Sequence, residues 1–297
     1  MNQEALPSSA APALFGVRAM YDLSGKVALV TGAGGERGFG RAIAVRLAQE
    51  GADIIINDVV QNPYPGRSST WLGLQSVVQE IEALGRRAVA IVADISDGAQ
   101  VDKMVRQGVE HLGQIDILVN NAALSHGRDL VPVVDLEEDV WDSTMRVNLK
   151  GAFLCSKFVA REMICRGRGG KIIVMSSAVG KRGQACRAAY AASKFALVGF
   201  TQSLALELAS HKINVNAVCP SMADTERINA MAAALAVEGE TVEQHQAKIY
   251  KDQIGTIPLG RLVQGADVAS LTAFLASSQS DYLTGLAISV AGGALMD

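Results

Sequence analysis

The 297-residue chain lacks the features that mark membrane, secreted and nucleic-acid-binding proteins. No apolar run approaches the ~20 residues that a membrane-spanning helix requires. Its four cysteines and four histidines are scattered, which favours reduced thiols over a disulfide framework and gives no spacing for a metal site. A net charge of −3 provides no basic surface for nucleic acid or anionic lipid. We therefore expect a cytoplasmic globular protein with no metal, no membrane and no nucleic-acid partner.

The first 21 residues differ in composition from the rest of the chain. Residues 1–21 contain Pro7, two serines and several alanines, without the basic start and apolar core of a secretory signal. We expect them to form an N-terminal arm. Residues 22–297 show no change of composition that would divide them, so they are expected to form one domain.

Short apolar runs alternate with helical patterns from Lys26 onward. Buried strands that alternate with helices indicate a parallel sheet covered on both faces. The expected fold is therefore a doubly wound, Rossmann-like α/β domain with a seven-stranded parallel sheet. The predicted strands are Val27–Thr31, Asp53–Asp58, Ala88–Ala93, Ile115–Asn120, Lys171–Ser176, Ile213–Val218 and Leu286–Val290. The predicted helices include Arg41–Gln49, Gln75–Leu84, Val101–Leu112, Trp141–Met163 and Tyr190–Ala209.

Two segments interrupt this alternation. Val59–Thr70 is longer than a strand-to-helix link usually needs. Residues 222–256 form a longer excursion between the last two predicted strands. Ligands of doubly wound sheets bind beyond the carboxyl ends of the strands, so this excursion either covers a substrate or forms a solvated helical hairpin.

A glycine-rich segment, Thr31–Gly40, follows the first predicted strand and opens a helix. Glycines let the backbone approach a pyrophosphate, whose charge is favoured at a helix N-terminus. Asp58 ends the second strand, where a carboxylate binds the adenosine ribose hydroxyls and repels a 2′-phosphate. This pattern predicts NAD as the cofactor. NADP stays possible because Arg37 either receives a 2′-phosphate or is a loop charge paired with Glu36.

Two further strand ends carry residues suited to a nucleotide. Asp94 and Ile95 end the third strand, where a carboxylate can reach the adenine amino group and an apolar side chain can flank the ring. Asn121 and Ala122 follow the fourth strand, and their size allows a flat cofactor to approach closely.

Tyr190 and Lys194 are spaced i and i+4, so in a helix both project from one face. A phenol is a poor acid or base at neutral pH because its pKa lies near 10. A nearby ammonium favours the phenolate and lowers that pKa. The pair therefore predicts a proton-transfer centre.

From about Asp22 to Gly293 the chain resembles the short-chain dehydrogenase/reductase family. The glycine motif of the family, Thr-Gly-x-x-x-Gly-x-Gly, is approximated by Thr31–Gly40, with either Gly32 or Gly34 as the first glycine. Asn120–Ala123 resembles Asn-Asn-Ala-Gly, and Pro220–Thr225 resembles Pro-Gly-x-x-x-Thr with Ser221 in place of the glycine. Tyr190 and Lys194 match the family's Tyr-x-x-x-Lys.

The resemblance implies reversible hydride transfer between nicotinamide C4 and a secondary alcohol or ketone. Tyr190 would be the general base or acid, with Lys194, Ser177 and a water-holding Asn148 completing the catalytic set. The expected cofactor contacts are Gly32, Gly34, Arg37, Gly38, Phe39, Asp58, Asp94, Ile95, Asn121, Ala122, Tyr190, Lys194, Pro220, Ala223 and Thr225. The expected substrate pocket contains Leu124, His126, Val179, Gln184 and Met222.

Two other functions fit the same scaffold. A non-catalytic dinucleotide sensor or regulator would be expected to lose members of the Ser177, Tyr190 and Lys194 set, which this chain keeps. A redox-linked epimerase would keep its cofactor bound through turnover and usually carries a larger C-terminal region. The resemblance also implies a homo-oligomer, either a tetramer or a dimer.

Overall fold

The computed structural model describes residues 20–65, 70–124, 127–225, 232 and 241–296. Most of the predicted N-terminal arm and the predicted pocket residue His126 lie outside these residues. Parts of the 59–70 loop and of the 222–256 excursion also lie outside them.

Seven strands in the described part of the chain form one parallel sheet. They are β1 (Val27–Thr31), β2 (Asp53–Asp58), β3 (Ala88–Val92), β4 (Ile117–Asn120), β5 (Gly170–Met175), β6 (Ile213–Pro220) and β7 (Ala287–Val290). The spatial order is β3-β2-β1-β4-β5-β6-β7, so the strand order reverses between β1 and β4. The predicted doubly wound fold is confirmed.

Helices pack on both faces of this sheet. The described helices are α1 (Phe39–Gln49), α2 (Leu74–Ala83), α3 (Gly98–Leu112), α4 (Glu138–Met145), α5 (Ala152–Arg166), α6 (Ala188–Leu208), α7 (Val242–Ile254) and α8 (Gly265–Ala276). Of these, α7 packs instead on the small apolar cluster that contains Ile257 and Leu262. Short 3₁₀ turns occupy Val133–Asp135, Ala178–Gly180, Ala209–His211 and Ser278–Ser280.

Each face of the sheet has its own apolar core. On β1, Ala28 and Val30 pack into the core that contains Ile43 of α1 and Val268 of α8. Leu29 points the other way, into the core with α3, α5 and α6. Successive side chains of a strand point to opposite faces of the sheet, and both faces are covered by helices. All side chains of a central strand are therefore buried, which explains why the strands are continuous apolar runs.

One element boundary differs in kind from the prediction. The single helix expected over Trp141–Met163 is divided into α4 and α5 by a π-helical turn at Arg146–Gly151. Asn148 lies in that turn, and its side chain bonds to the backbone of Leu124 instead of facing solvent. Such π turns are frequent at functional sites, and this one aims Asn148 at the loop after β4.

Candidate active site

A cavity of about 960 Å³ opens at the carboxyl edge of the sheet, where doubly wound folds bind their ligands. One end is lined by Asp58, the last residue of β2, and by Asp94, which follows β3. The other end is lined by Ser177 after β5 and by Tyr190 and Lys194 of α6. The cavity therefore joins the predicted nucleotide residues to the predicted proton-transfer centre.

Two glycines of the glycine-rich segment, Gly32 and Gly40, leave no room for a side chain. Gly32 adopts φ +68°, and a Cβ there would lie 2.6 Å from the Cα of Ala122. A Cβ on Gly40 would collide with the carbonyl oxygen of Gly32 and lie 2.7 Å from the Nδ2 of Asn121. This backbone cradle at the start of a helix fits the pyrophosphate of a dinucleotide.

Thr31 and Asn121 hold that cradle in shape. Asn121 Nδ2 donates hydrogen bonds to the carbonyl oxygens of Thr31 and Gly32, at 2.9 and 3.0 Å. In return, Thr31 Oγ1 accepts from the backbone N–H groups of Asn121 and Ala122, both at 3.1 Å. Asn121 thus fixes the loop in addition to lining the cavity.

The carboxylate of Asp58 is held by backbone donors. Its Oδ2 accepts from Gly34 N–H at 2.9 Å, and its Oδ1 accepts from Val59 N–H at 2.8 Å. Burial raises the pKa of Asp58, and these two hydrogen bonds offset the rise only in part. Both glycines that were candidates for the motif have a role, because Gly32 makes the turn and Gly34 contacts Asp58.

Arg37 is turned across the mouth of the cavity. Its Nη1 lies 3.3 Å from Asp224 Oδ1, and Tyr250 of α7 donates to the same oxygen at 2.5 Å. The partly exposed pair joins the glycine-rich loop to the segment after β6.

The buried pair on α6 is tied to the end of β5. Lys194 is 2% exposed, and its Nζ donates to the carbonyl oxygen of Met175 at 2.7 Å and lies 5.6 Å from the ring centroid of Tyr190. Ser177 caps the 3₁₀ turn that follows β5, where its Oγ accepts from Val179 N–H at 3.4 Å. Ser177, Tyr190 and Lys194 all line the same end of the cavity.

Asn148 is 1% exposed and lies behind Leu124, a residue of the cavity wall. Its Oδ1 accepts from Leu124 N–H at 2.7 Å, and its Nδ2 donates to Ser193 Oγ at 3.1 Å. Ser193 in turn donates to the carbonyl oxygen of Tyr190 at 2.7 Å. Asn148 therefore links the loop after β4 to the turn of α6 that contains Tyr190, through Ser193, which sequence reasoning missed.

Most other predicted site residues reach the cavity. Gly38, Phe39, Ile95, Ala122, Pro220, Ala223 and Thr225 line it, as do the pocket candidates Leu124, Val179, Gln184 and Met222. Gly34 and Arg37 lie beside it through their bonds to Asp58 and Asp224.

Sequence reasoning missed several residues of the cavity wall, among them Pro63, Tyr64, Arg146, Arg182 and Arg187. Arg187 directly precedes α6 and is buried. Its i, i+3 spacing to Tyr190 puts both residues on one side of the helix start, which is a signal that the sequence does contain. Pro63 and Tyr64 come from the long loop after β2, and no local pattern indicates where such a loop folds.

Within the described residues, no three His, Cys, Asp or Glu side chains are grouped closely enough to hold a metal ion. Over the same residues, no helix combines the length and the apolar character needed to cross a membrane.

Comparison with known proteins identifies the family. The model of the family described as "short chain dehydrogenase" matches residues 26–236. The chain belongs to the short-chain dehydrogenase family. It is 39% identical to galactitol 2-dehydrogenase of Agrobacterium fabrum, over 91% of this chain and 98% of that relative. It is 37% identical to sorbitol dehydrogenase of Cereibacter sphaeroides, over the same shares of the two chains.

A solved structure agrees with these relatives. Carveol dehydrogenase from Mycobacterium avium, in complex with NAD, is 31% identical and superposes with a TM-score of 0.82 over 93% of this chain and all of that one. The protein is thus a member of an oxidoreductase family that uses NAD(P), as the sequence motifs predicted.

Proposed function

We propose that this protein is an NAD-dependent dehydrogenase that interconverts a secondary alcohol and a ketone. The observation that carries the proposal is one cavity with a glycine cradle and Asp58 at one end and Ser177, Tyr190 and Lys194 at the other. The named dehydrogenases among its relatives support the same reaction class.

The residues present fit a nicotinamide dinucleotide. Gly32, Gly38 and the N-terminus of α1 would hold the pyrophosphate, and Asp58 would accept hydrogen bonds from the adenosine ribose. Lys194 would bind the nicotinamide ribose, and the residues after β6 would hold the nicotinamide end. When bound, the dinucleotide supplies the acceptor or donor of the hydride at its C4 atom.

The protein's own groups manage the proton. Tyr190 takes the hydroxyl proton during alcohol oxidation and returns it during ketone reduction. The Lys194 ammonium stabilises the phenolate electrostatically. Ser177 hydrogen-bonds the substrate oxygen and fixes its position beside Tyr190. Asn148 holds the catalytic turn through Ser193, and its predicted part in a water-mediated proton path belongs to this proposal.

The preference for NAD rests on the charges around the ribose end. Asp58 is an acceptor for ribose hydroxyls and would repel a 2′-phosphate. Arg37 is paired with Asp224, and Arg41 forms a bidentate pair with Glu80, at 2.6 and 2.8 Å. Both guanidinium groups are therefore already paired with carboxylates of this chain.

The proposal also includes a cytoplasmic location, a single domain and assembly as a homo-oligomer. Phe153 on α5 and Phe195 on α6 are exposed in the single chain, and a second copy would bury them. Light scattering should give a mass above that of the monomer.

The test is an absorbance screen at the NADH band, with NAD and NADP against a panel of sugar alcohols, cyclic alcohols and hydroxy acids. The expected result is NADH formation with at least one secondary alcohol, lost in Tyr190→Phe. Accumulation of free NADH is expected here, whereas a redox-linked epimerase would retain it. Full activity of Tyr190→Phe would exclude Tyr190 as the base.

A further inference from the structure

Two loops that are unusual in the sequence contact each other beside Asp58. One is the glycine-rich loop, in which either Gly32 or Gly34 matches the first glycine of the family motif. The other is the long loop after β2. Gly34 of the glycine-rich loop makes two hydrogen bonds here. Its N–H donates to Asp58 Oδ2 at 2.9 Å, and its carbonyl oxygen accepts from Trp71 Nε1 at 2.9 Å. The Gly34 backbone is therefore fixed on both sides.

Pro63 closes the space between these groups. A Cβ on Gly34 would lie 2.7 Å from Pro63 Cδ and 3.1 Å from Asp58 Oδ2. Val59, Pro63 and Tyr64 line the cavity next to Asp58. Gly34, Asp58, Pro63 and Trp71, here termed the ribose clamp, leave no gap of methyl size where they meet.

Trp71 is itself held firmly. The guanidinium of Arg41 lies 5.2 Å from its ring centroid, and Arg41 is fixed by Glu80 and by a 2.7 Å bond to the carbonyl oxygen of Glu36. Asn62 Nδ2 donates to the Trp71 carbonyl oxygen at 3.1 Å. Two loops and two helices thus support one side of the ribose position.

Charge alone does not explain why Arg37 would fail to serve a 2′-phosphate. Its pair with Asp224 is exposed, and exposed ion pairs contribute at most about 1 kcal/mol, so a phosphate would draw the guanidinium away. A phosphate can do so only if it fits beside Asp58. Pro63 and the fixed Gly34 leave no room for a methyl group on the Oδ2 side of Asp58.

We propose that the ribose clamp excludes a 2′-phosphate by shape as well as by charge, so that Pro63 and Trp71 determine specificity for NAD over NADP. This inference rests on the proposed function, because a dinucleotide must bind in the cavity. Replacing Asp58 would remove the repulsion and leave Pro63 and Trp71 in place. Loosening the clamp as well would admit the phosphate and allow Arg37 to bind it.

The test is isothermal titration calorimetry of NAD and NADP, which measures binding without turnover. The variants are Asp58→Ser, Pro63→Ala, Trp71→Phe, and Asp58→Ser combined with each of the other two. Trp141→Phe is the matched control, since Trp141 lies on α4 and outside the cavity wall. Thermal unfolding of every variant without cofactor checks that it is folded, and Trp71→Phe keeps a ring for Arg41 to pack on.

Asp58→Ser alone should improve the Kd ratio of NADP to NAD by less than about tenfold, and each double variant should improve it by about a further tenfold. Trp141→Phe should not change the ratio. Efficient NADP binding by Asp58→Ser alone would contradict the proposed role of the ribose clamp. Double variants with the same Kd ratio as Asp58→Ser would contradict it too. Equal affinity of the wild-type protein for NAD and NADP would refute cofactor exclusion by the ribose clamp, and it would not affect the proposed dehydrogenase reaction. NAD binding without oxidation of any alcohol would refute the proposed dehydrogenase reaction, and it would not affect cofactor exclusion by the ribose clamp.

Discussion

Strand β2 carries an aspartate at each end, and the two carboxylates have opposite surroundings. Asp53, at the amino end, accepts from Arg86 Nη2 at 2.6 Å and from Arg87 Nε at 2.8 Å. Burial raises its pKa, but the hydrogen bonds from Arg87 and the charges of both arginines outweigh burial, so the pKa is lowered. Asp58, at the carboxyl end, accepts from the backbone N–H groups of Gly34 and Val59, and burial leaves its pKa raised.

The same division extends along the sheet. At the amino edge, Asp116 accepts from Arg166 at 2.7 Å and from Val27 N–H at 2.9 Å, and Lys171 pairs with Asp281 at 2.7 Å. At the carboxyl edge, polar side chains bond to backbone and line a cavity. The charged side chains named at the amino edge are therefore paired within the chain, whereas Asp58 and Lys194 at the carboxyl edge line the cavity. Substitutions at the two edges should separate stability from activity.

The largest effect is expected from Tyr190→Phe at the carboxyl edge. Loss of the phenol hydroxyl removes the proposed acid/base, so kcat should fall by about 10²–10⁴-fold. The melting temperature and the Kd for NAD should change little. Steady-state kinetics at the NADH band, with unfolding scans of the same samples, measure this. A comparable fall in stability would show that Tyr190 is mainly a core residue.

At the amino edge, Arg166→Met should have the reverse effect. It leaves buried Asp116 without its cation, which should lower the free energy of unfolding by about 3 kcal/mol. The kcat per folded molecule should stay unchanged. Urea denaturation measures the loss, and Arg106→Met is the control because its exposed pair with Asp102 should contribute about 0.5 kcal/mol or less. Equal losses of unfolding free energy in Arg166→Met and Arg106→Met would contradict the stabilising role of the buried Arg166–Asp116 pair.

Asp58→Asn should weaken NAD binding about tenfold, since hydrogen bonds to a charged group are the stronger ones, and should change how the stability of the cofactor-free protein depends on pH. Because the folded pKa of Asp58 is raised, its contribution to stability is present below the unfolded pKa and is lost as pH rises through the folded pKa. Asparagine has no such loss. Unfolding scans across pH without cofactor should show the stability of the variant increasing relative to that of wild type as pH rises, and a difference that does not change with pH would refute this expectation.

Asp53→Asn should show the opposite pH dependence and the smallest effect. The folded pKa of Asp53 is lowered, so its contribution to stability is present above the unfolded pKa and is lost as pH falls through the folded pKa. The variant should be less stable than wild type at neutral pH, and the difference should disappear in acid. A difference that persists in acid would mean that shape, and not charge, is what Arg86 and Arg87 recognise.

The parts that were predictable from sequence have local causes. β1 and β2 have the predicted bounds because a strand buried on both faces is a continuous apolar run. Tyr190 and Lys194 share a face because helix geometry fixes i, i+4 neighbours. Ser177 reaches them because carboxyl ends of parallel strands meet at one edge.

The parts that were not predictable depend on contacts between distant segments. The π turn at Arg146–Gly151 accompanies a bond from Asn148 to Leu124, and Arg37 finds Asp224 far along the chain. Trp71 donates to Gly34 from another loop. None of these pairs has a fixed spacing in the sequence, so only the folded chain reveals them.

Hydride transfer at the carboxyl edge is tested most directly with a secondary alcohol from the panel that carries deuterium at the carbinol carbon. Mass spectrometry of the released cofactor follows the label. The proposed reaction predicts one deuterium in free NADH for each ketone formed. Label that remains in the organic product, without labelled NADH in solution, would contradict the dehydrogenase assignment and indicate an epimerase.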